Sequence, residues 1–192
     1  LLSSWRGGRI EHLGSHEVAR LAIEEALVSS HRHVFAPLLL FIVMGPAGAL
    51  TYRLALAFKS QWGERMDAEF GRFGVFAAQA FATIDWLPVR ATAVAFAVVG
   101  DFEDAVYCWR NQAQTWPDTG SGILLASGAG ALGVRLGMPV REDAELSDRP
   151  ELGVGDEADA DFMQSTIGLV WRTLVMGLCL LALLWVAIWV GN

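Results

Sequence analysis

TLVMGLCLLALLWVAIWVG, from Thr173 to Gly191, is nineteen residues without a charged side chain. As a helix it is about 28 Å long, close to the roughly 30 Å of a bilayer's hydrocarbon core. It predicts a transmembrane helix, and with it a mostly α fold. Arg172 stands at its start, and Trp171, Trp185 and Trp189 suit the membrane–water interface, where indoles concentrate.

The rest of the chain agrees. Of 192 residues, 54% are hydrophobic and 18% charged, against about 45–50% and about 25% in a soluble domain. A second apolar stretch, 34–58, predicts another membrane helix. Gly45-Pro46 breaks or kinks it, and Arg53 lies in its second half. A break at membrane depth is tolerated only where protein or a cavity satisfies the freed backbone.

Stretch 69–100 predicts an amphipathic interfacial helix through Thr83, with Phe70, Phe73, Ala77, Ala80 and Phe81 at helical spacing, then a short membrane segment. From Val89 to Gly100 there is only about 18 Å of helix, so this part is a half-helix or a straight continuation. IDWLPVR, Ile84 to Arg90, predicts the joint between them: Trp86 anchors it, Pro88 starts the next segment, and Asp85 and Arg90 neutralise each other or share a ligand. Upstream, Ser15 to Val28 predicts an amphipathic helix with Ser15 as cap and Val18, Leu21, Ala22 and Glu25 on one face. The expected architecture is one polytopic membrane domain over 1–192 with broken or half helices.

Stretch 123–138 is rich in small residues. Gly128, Gly130 and Gly133 match GxGxxG, but no strand–helix alternation surrounds them, so a dinucleotide fold is set aside. Close helix packing is the better account, with Gly133 and Gly137 as a GxxxG pair. Stretch 141–161 is an acidic, mobile loop. It holds nine acids and two arginines, the whole of the net charge of −7. The remainder is neutral and offers no basic surface for nucleic acid.

His12, His16, His31 and His33 lack partners at metal-ligand spacing, so no metal is assigned. Cys108 and Cys179 form no CxxC motif, and no GxSxG is present. Arg53, Arg90 and Arg135 carry more weight. An ionisable group in membrane sequence expects a partner, and three guanidiniums can clamp a phosphate or carboxylate. They are expected to converge on one polar cavity; snorkelling to headgroups or pairing with Asp85 is the structural alternative.

GPAGALTYRL (45–54), FGRFGVFAAQAFATIDWLPVRATA (70–93) and GAGALGVRLG (128–137) together resemble the CobD/CbiB family of cobalamin-biosynthesis membrane proteins, in that family's order. The AmpE proteins, membrane modulators of β-lactamase induction, belong to the same superfamily. The synthase branch implies amide formation between an aminopropanol-type amine and a corrinoid carboxylate. By position the resemblance carries over Arg53, Arg90 and Arg135, and Glu24 as the first acid of an E-S-x-A-E-N-x-x-D block. That block otherwise departs: its second acid is Val28, its Asn is Ser29 and its Asp is Arg32. Asp85 stands where the synthase branch prefers Asn.

The missing acids and the Asp85-Trp86 pair lean toward a non-catalytic AmpE-like modulator of cell-wall and β-lactamase signalling, which is the reading preferred from sequence. An adenosylcobinamide-phosphate synthase-like enzyme is the alternative, and a structural membrane scaffold a third. The ligand candidates are Glu24, Arg53, Asp85, Arg90 and Arg135; the structural motif is Gly45, Pro46, Trp86, Pro88, Gly130 and Gly133. The synthase reading would bring a corrinoid, with a nucleotide and Mg²⁺. Expected partners are the lipid bilayer, a small anionic ligand or corrinoid, and a second copy of the chain. The expected location is the bacterial inner membrane, with further family helices upstream of Leu1.

Overall fold

The computed structural model describes residues 14–63, 71–142, 145–147 and 149–191. Helix α1 spans Ser15–Ser30. Its cap is Gly14, not Ser15: the Gly14 amide donates to Glu17 Oε2 at 2.8 Å. It buries Ala19, Leu21, Ile23, Glu24 and Leu27, so of the predicted face only Leu21 is fully inside. The chain then widens into one π-turn, His31–Phe35, and runs on into α2, Ala36–Met44.

Stretch 34–58 is not a single kinked span. At Gly45 the backbone takes φ +70°, open to glycine at little cost, and Pro46 starts helix α3, Pro46–Trp62. The chain folds back on itself. A Cβ on Gly48 would meet Leu40 O at 2.4 Å, and Tyr52 packs into a cluster with Ala36, Leu40 and Phe81. Helices α2 and α3 are therefore the arms of an antiparallel hairpin with Gly45 at its tip.

Helix α4 runs unbroken from Gly71 to Val99 with Pro88 inside it. The predicted joint at 84–90 does not exist; of the two alternatives for Val89–Gly100, straight continuation is the one realised. The predicted start of this segment, residues 69 and 70, lies outside the described residues.

Helix α5 is Phe102–Gln112, with the Asp101 side chain accepting from Asp104 N; a 3₁₀ turn, Ala113–Thr115, follows. Helix α6, Thr119–Leu132, is buried at every residue from Gly122 to Ala131. It forms the centre of the molecule, packed by α1, α4 and α5. Small residues make this possible: a Cβ on Gly128 would press on Leu27, and one on Gly130 would sit 2.4 Å from Asp104 O. Large core side chains around it are Phe96, Ile23, Leu27 and Leu169.

Gly133 ends α6 in the left-handed region, and β1 begins at once, Val134–Gly137. The expected helical GxxxG pair therefore fails, because Gly133 is a cap and Gly137 lies in a strand. Nor is 141–161 simply a loop. Strands β2 (Val140–Glu142) and β3 (Glu145–Ser147) pair as a hairpin. Strands β4 (Glu151–Leu152) and β5 (Asp156–Glu157) flank β1, antiparallel and parallel respectively. Leu152 and Ala158 are buried, and Gln112 brackets Gly153 with two hydrogen bonds. An acidic composition hid these two apolar anchors.

Helix α7 spans Ala160–Gly191. Its first part packs through Thr166, Leu169 and Thr173, and the remainder is exposed and apolar. Among the described residues, three helical stretches are long and apolar enough to cross a membrane: Ser15–Met44, Phe73–Val99 and Ala160–Gly191. The molecule is a mostly α membrane protein.

Candidate functional site: a buried carboxylate beside a cationic cleft

Three elements bring polar side chains into the apolar interior. Asp85 comes from the middle of α4, Tyr52 from α3, and His31 from the π-turn. A π-turn inserts an extra residue per turn and often marks a functional position; here it carries the fully enclosed His31 at the junction of α1 and α2. Asp85 Oδ1 accepts from the Tyr52 hydroxyl at 3.0 Å and lies 2.9 Å from His31 Nε2. His31 Nδ1 lies 2.9 Å from Thr92 Oγ1, and Thr92 in turn reaches Pro88 O at 3.0 Å. A buried carboxylate costs several kcal/mol unless paired and hydrogen-bonded; these neighbours meet that cost.

The other oxygen, Oδ2, faces away. A Cβ on Gly120, at the start of α6, would lie 3.9 Å from it. Between α4 and the α6 N-terminus is a cavity of about 300 Å³, lined by Lys59, Asp85, Trp86, Arg90, Asp118 and Gly120 among others. A wider cleft of about 650 Å³, lined by Arg32, Lys59, Asp118 and Ser121, shares Lys59 and Asp118 with it. Lys59 sits 3.7 Å from Asp118, and Arg32 reaches Ser121 Oγ at 3.5 Å. Arg90 lies over the Trp86 ring at 4.3 Å and donates to Trp86 O.

Asp118 caps α6 through Ser121 N and also accepts from the Ser121 hydroxyl. Burial alone would push its carboxyl up, but the Ser121 hydrogen bonds with the Lys59 and Arg32 charges outweigh that and hold it below the usual carboxylate range. Asp118 thus stays an anion that organises the two cations.

The expected convergence of three arginines is not what the fold builds. Arg90 lines the cavity with Asp85, but Asp85 is engaged by His31 and Tyr52 rather than by Arg90. Arg53 is exposed on α3 and is not among the cleft's lining. Arg135 projects from β1 to Glu151 and Glu157 at 3.6 and 3.7 Å. Glu24 is buried, pairs with Arg149 and accepts from Gly137 N at 2.9 Å, which ties α1 to β1. Gly45 and Pro46 make the hairpin tip; Trp86 and Pro88 stay within α4; Gly130 and Gly133 serve packing and capping.

His31, Tyr52, Thr92, Lys59 and Asp118 were missed as site residues. The signal for His31 was Asp85 itself, since an acid inside apolar sequence needs a donor. Of the other histidines, His16 bonds Ala158 O and His33 its own helix at Ser29 O; His12 lies outside the described residues. Among the described residues no three His, Cys, Asp or Glu side chains are grouped to hold a metal ion.

An apolar helical body with a cleft lined by Arg32, Lys59, Asp85, Arg90 and Asp118 defines a helical membrane protein with a charged interior. Comparison with known proteins gives the family. The model of the CobD/Cbib protein family matches residues 2–189. A protein of Stutzerimonas stutzeri is 41% identical over 172 residues, covering 90% of this chain and 56% of its own length. One from Chromobacterium violaceum is 37% identical, covering 81% and 49%, and one from Mycobacterium tuberculosis 36%, covering 81% and 51%. Each is called cobalamin biosynthesis protein CobD. The chain belongs to the CobD/CbiB family. It spans about half the length of the curated relatives it matches. No solved structure gives a significant match.

Proposed function

We propose that the chain is part of an enzyme of cobalamin biosynthesis that forms an amide between a small amine and a carboxylate side chain of a corrinoid, as an adenosylcobinamide-phosphate synthase does. This reverses the order of the two readings preferred from sequence. The relatives are named for cobalamin biosynthesis, and none of those reported supports an AmpE-like modulator. The observation that carries the reading is Asp85, a carboxylate held on one oxygen and open to a cationic cleft on the other.

Amide formation from a carboxylate needs a nucleoside triphosphate to activate the acid, so that one carboxylate oxygen leaves as phosphate; it also needs an uncharged amine and a means of stabilising negative charge that develops on the carbonyl oxygen. A carboxylate in the cleft suits the amine; Arg32, Lys59 and Arg90 suit anionic groups. The corrinoid is written as substrate, with no step routed through its cobalt. The grouped carboxylates that Mg²⁺ prefers are not found among the described residues, so no step is assigned to that ion. The proposed location is the bacterial inner membrane, with several crossings.

The test is complementation of a strain lacking adenosylcobinamide-phosphate synthase by the full-length gene, scored by growth that requires cobalamin made from cobyric acid. Growth supports the reading. No growth from a stably inserted protein returns the weight to the modulator.

A further inference from the structure

The connection from α5 to α6 is irregular. Ala113–Thr115 is a 3₁₀ turn, and Trp116 and Asp118 have extended backbone. Yet this connection forms a wall of the cleft. Pro117 and Asp118 line both the cavity and its wider neighbour. Asp118 caps α6 and holds Lys59, although nearly half of its side chain is exposed. A short exposed connection outside any helix or strand opens at low free energy unless side chains hold it.

Trp116 is where it is held. A Cβ on Gly122 would lie 2.8 Å from Trp116 Cβ, and one on Gly137 would lie 3.3 Å from its Cζ3, so the indole packs against the α6 backbone and the end of β1. The Arg149 guanidinium lies over its face, 4.9 Å from the ring centroid. Such a contact is stronger where little water reaches it, and the Arg149 side chain is only 13% exposed. Arg149 also pairs with Glu24 of α1, whose other oxygen accepts from Gly137 N at 2.9 Å. One buried carboxylate thus fixes both the glycine at the indole's edge and the guanidinium on its face. A planar guanidinium is suited to pair and stack at once. At the other end of the connection, Gln112 Nε2 donates to Gly153 O, and Gly153 N donates to Gln112 Oε1. The segment after β1 therefore grips the cleft wall from behind at two points.

We propose that Arg149 is a positioning residue of the cleft: paired with Glu24 and stacked on Trp116, it sets where Pro117 and Asp118 stand, and so where Asp118 holds Lys59. Arg149, Glu24 and Trp116 line neither the cavity nor the wider cleft, so they act on it through the chain. Glu24, expected from sequence to meet a ligand, serves the cleft from behind. The inference rests on the amide-forming reading only in taking this cleft as the place of reaction; the link from Glu24 to Asp118 stands on the contacts themselves.

The experiment uses the full-length protein purified in detergent and two local readouts. Hydrogen exchange with mass spectrometry follows the α6 cap, where Ser121 N donates to Asp118. Acetylation by a water-soluble active ester, read on the peptide that carries it, follows Lys59, the sole lysine of this sequence. Arg149→Ala should speed exchange at Ser121 about tenfold, and should speed Lys59 acetylation because Asp118 no longer engages the amine. Trp116→Leu should do the same and guards against an Arg149 variant that fails to fold. Arg149→Lys, which keeps the charge for Glu24 and loses the flat face, should fall between. Leu169→Ala truncates a fully buried side chain of α7; it lowers overall stability and should leave both readouts near wild type. Unchanged readouts in folded Arg149→Ala, or in Trp116→Leu where Arg149→Ala does not fold, overturn the proposal, as does an equal rise in Leu169→Ala. Failed complementation by the wild type with this pattern present would overturn the amide-forming reading and leave the positioning role standing. Successful complementation with the pattern absent would do the reverse.

Discussion

His31 Nε2 and Asp85 Oδ1 lie 2.9 Å apart, joining the turn after α1 to the middle of α4 across fifty-four residues of sequence. Both are nearly enclosed, at 2% and 10% side-chain exposure. Removing one partner leaves a buried polar group alone, which typically costs about 3–5 kcal/mol. His31→Leu should thus lower stability strongly. The double variant His31→Leu, Asp85→Leu should lose much less than the two single losses added together. Thermal unfolding in detergent measures all three; simple additivity would mean that the two residues do not act as a pair.

Helix α6 passes α5 through Gly130, where a Cβ would lie 2.4 Å from Asp104 O. Backbone cannot swing aside as a side-chain tip can, so Gly130→Ala should destabilise by about 1–3 kcal/mol or more through overpacking. Gly177, on the outer part of α7, has open space around it, and Gly177→Ala should be neutral or slightly stabilising, since alanine favours helix. Parallel melting curves of the two variants test the contrast.

The short strand β4 seats Leu152 fully inside the core, opposite Leu136 of β1. Leu152→Ala should cost about 2–5 kcal/mol, the usual range for a buried leucine truncated in a packed core. Deleting Glu142 to Asp159 should lower folded yield, measured by size-exclusion recovery. Undiminished recovery would restore the mobile-loop expectation.

Burial, aided by the Asp104 carboxylate, pushes the Cys108 thiol from 9.0 up to about 11. The neutral thiol is favoured in the fold, so this contribution to stability is complete below about pH 9 and fades as pH rises through about 11. At pH 8 the thiolate is scarce, and thiolate is the reactive form. Maleimide should label Cys108 in the folded protein far more slowly than after denaturation, with Cys179→Ser as background so that one thiol is counted. Equal rates would show that α5 opens readily.

The sequence made much of this legible and hid the rest for physical reasons. Nineteen uncharged residues at 173–191 announced their own helix, because lipid leaves the backbone few choices. The Gly45-Pro46 break was visible, but whether the arms splay or fold back depends on Gly48 meeting Leu40, a contact between turns. Pro88 suggested a boundary, yet α4 continues through it, since packing on α6 outweighs one missing backbone donor. The acidic count at 141–161 suggested solvent and masked Leu152 and Ala158. At the site, Arg90 lines one cavity with Asp85, whereas Arg53 lies outside it and Arg135 answers to nearby acids on the sheet. His31 escaped notice because its depth depends on a single π-turn, which has no compositional signature.

The α2–α3 hairpin also changes the reach of stretch 34–58. By hydropathy, 34–58 scores as one passage from one face of the bilayer to the other. A hairpin that turns at Gly45 brings Lys59 back beside Arg32, so the stretch is two short antiparallel arms rather than one long rod. The cleft is built from both ends of the hairpin, Arg32 before it and Lys59 after it.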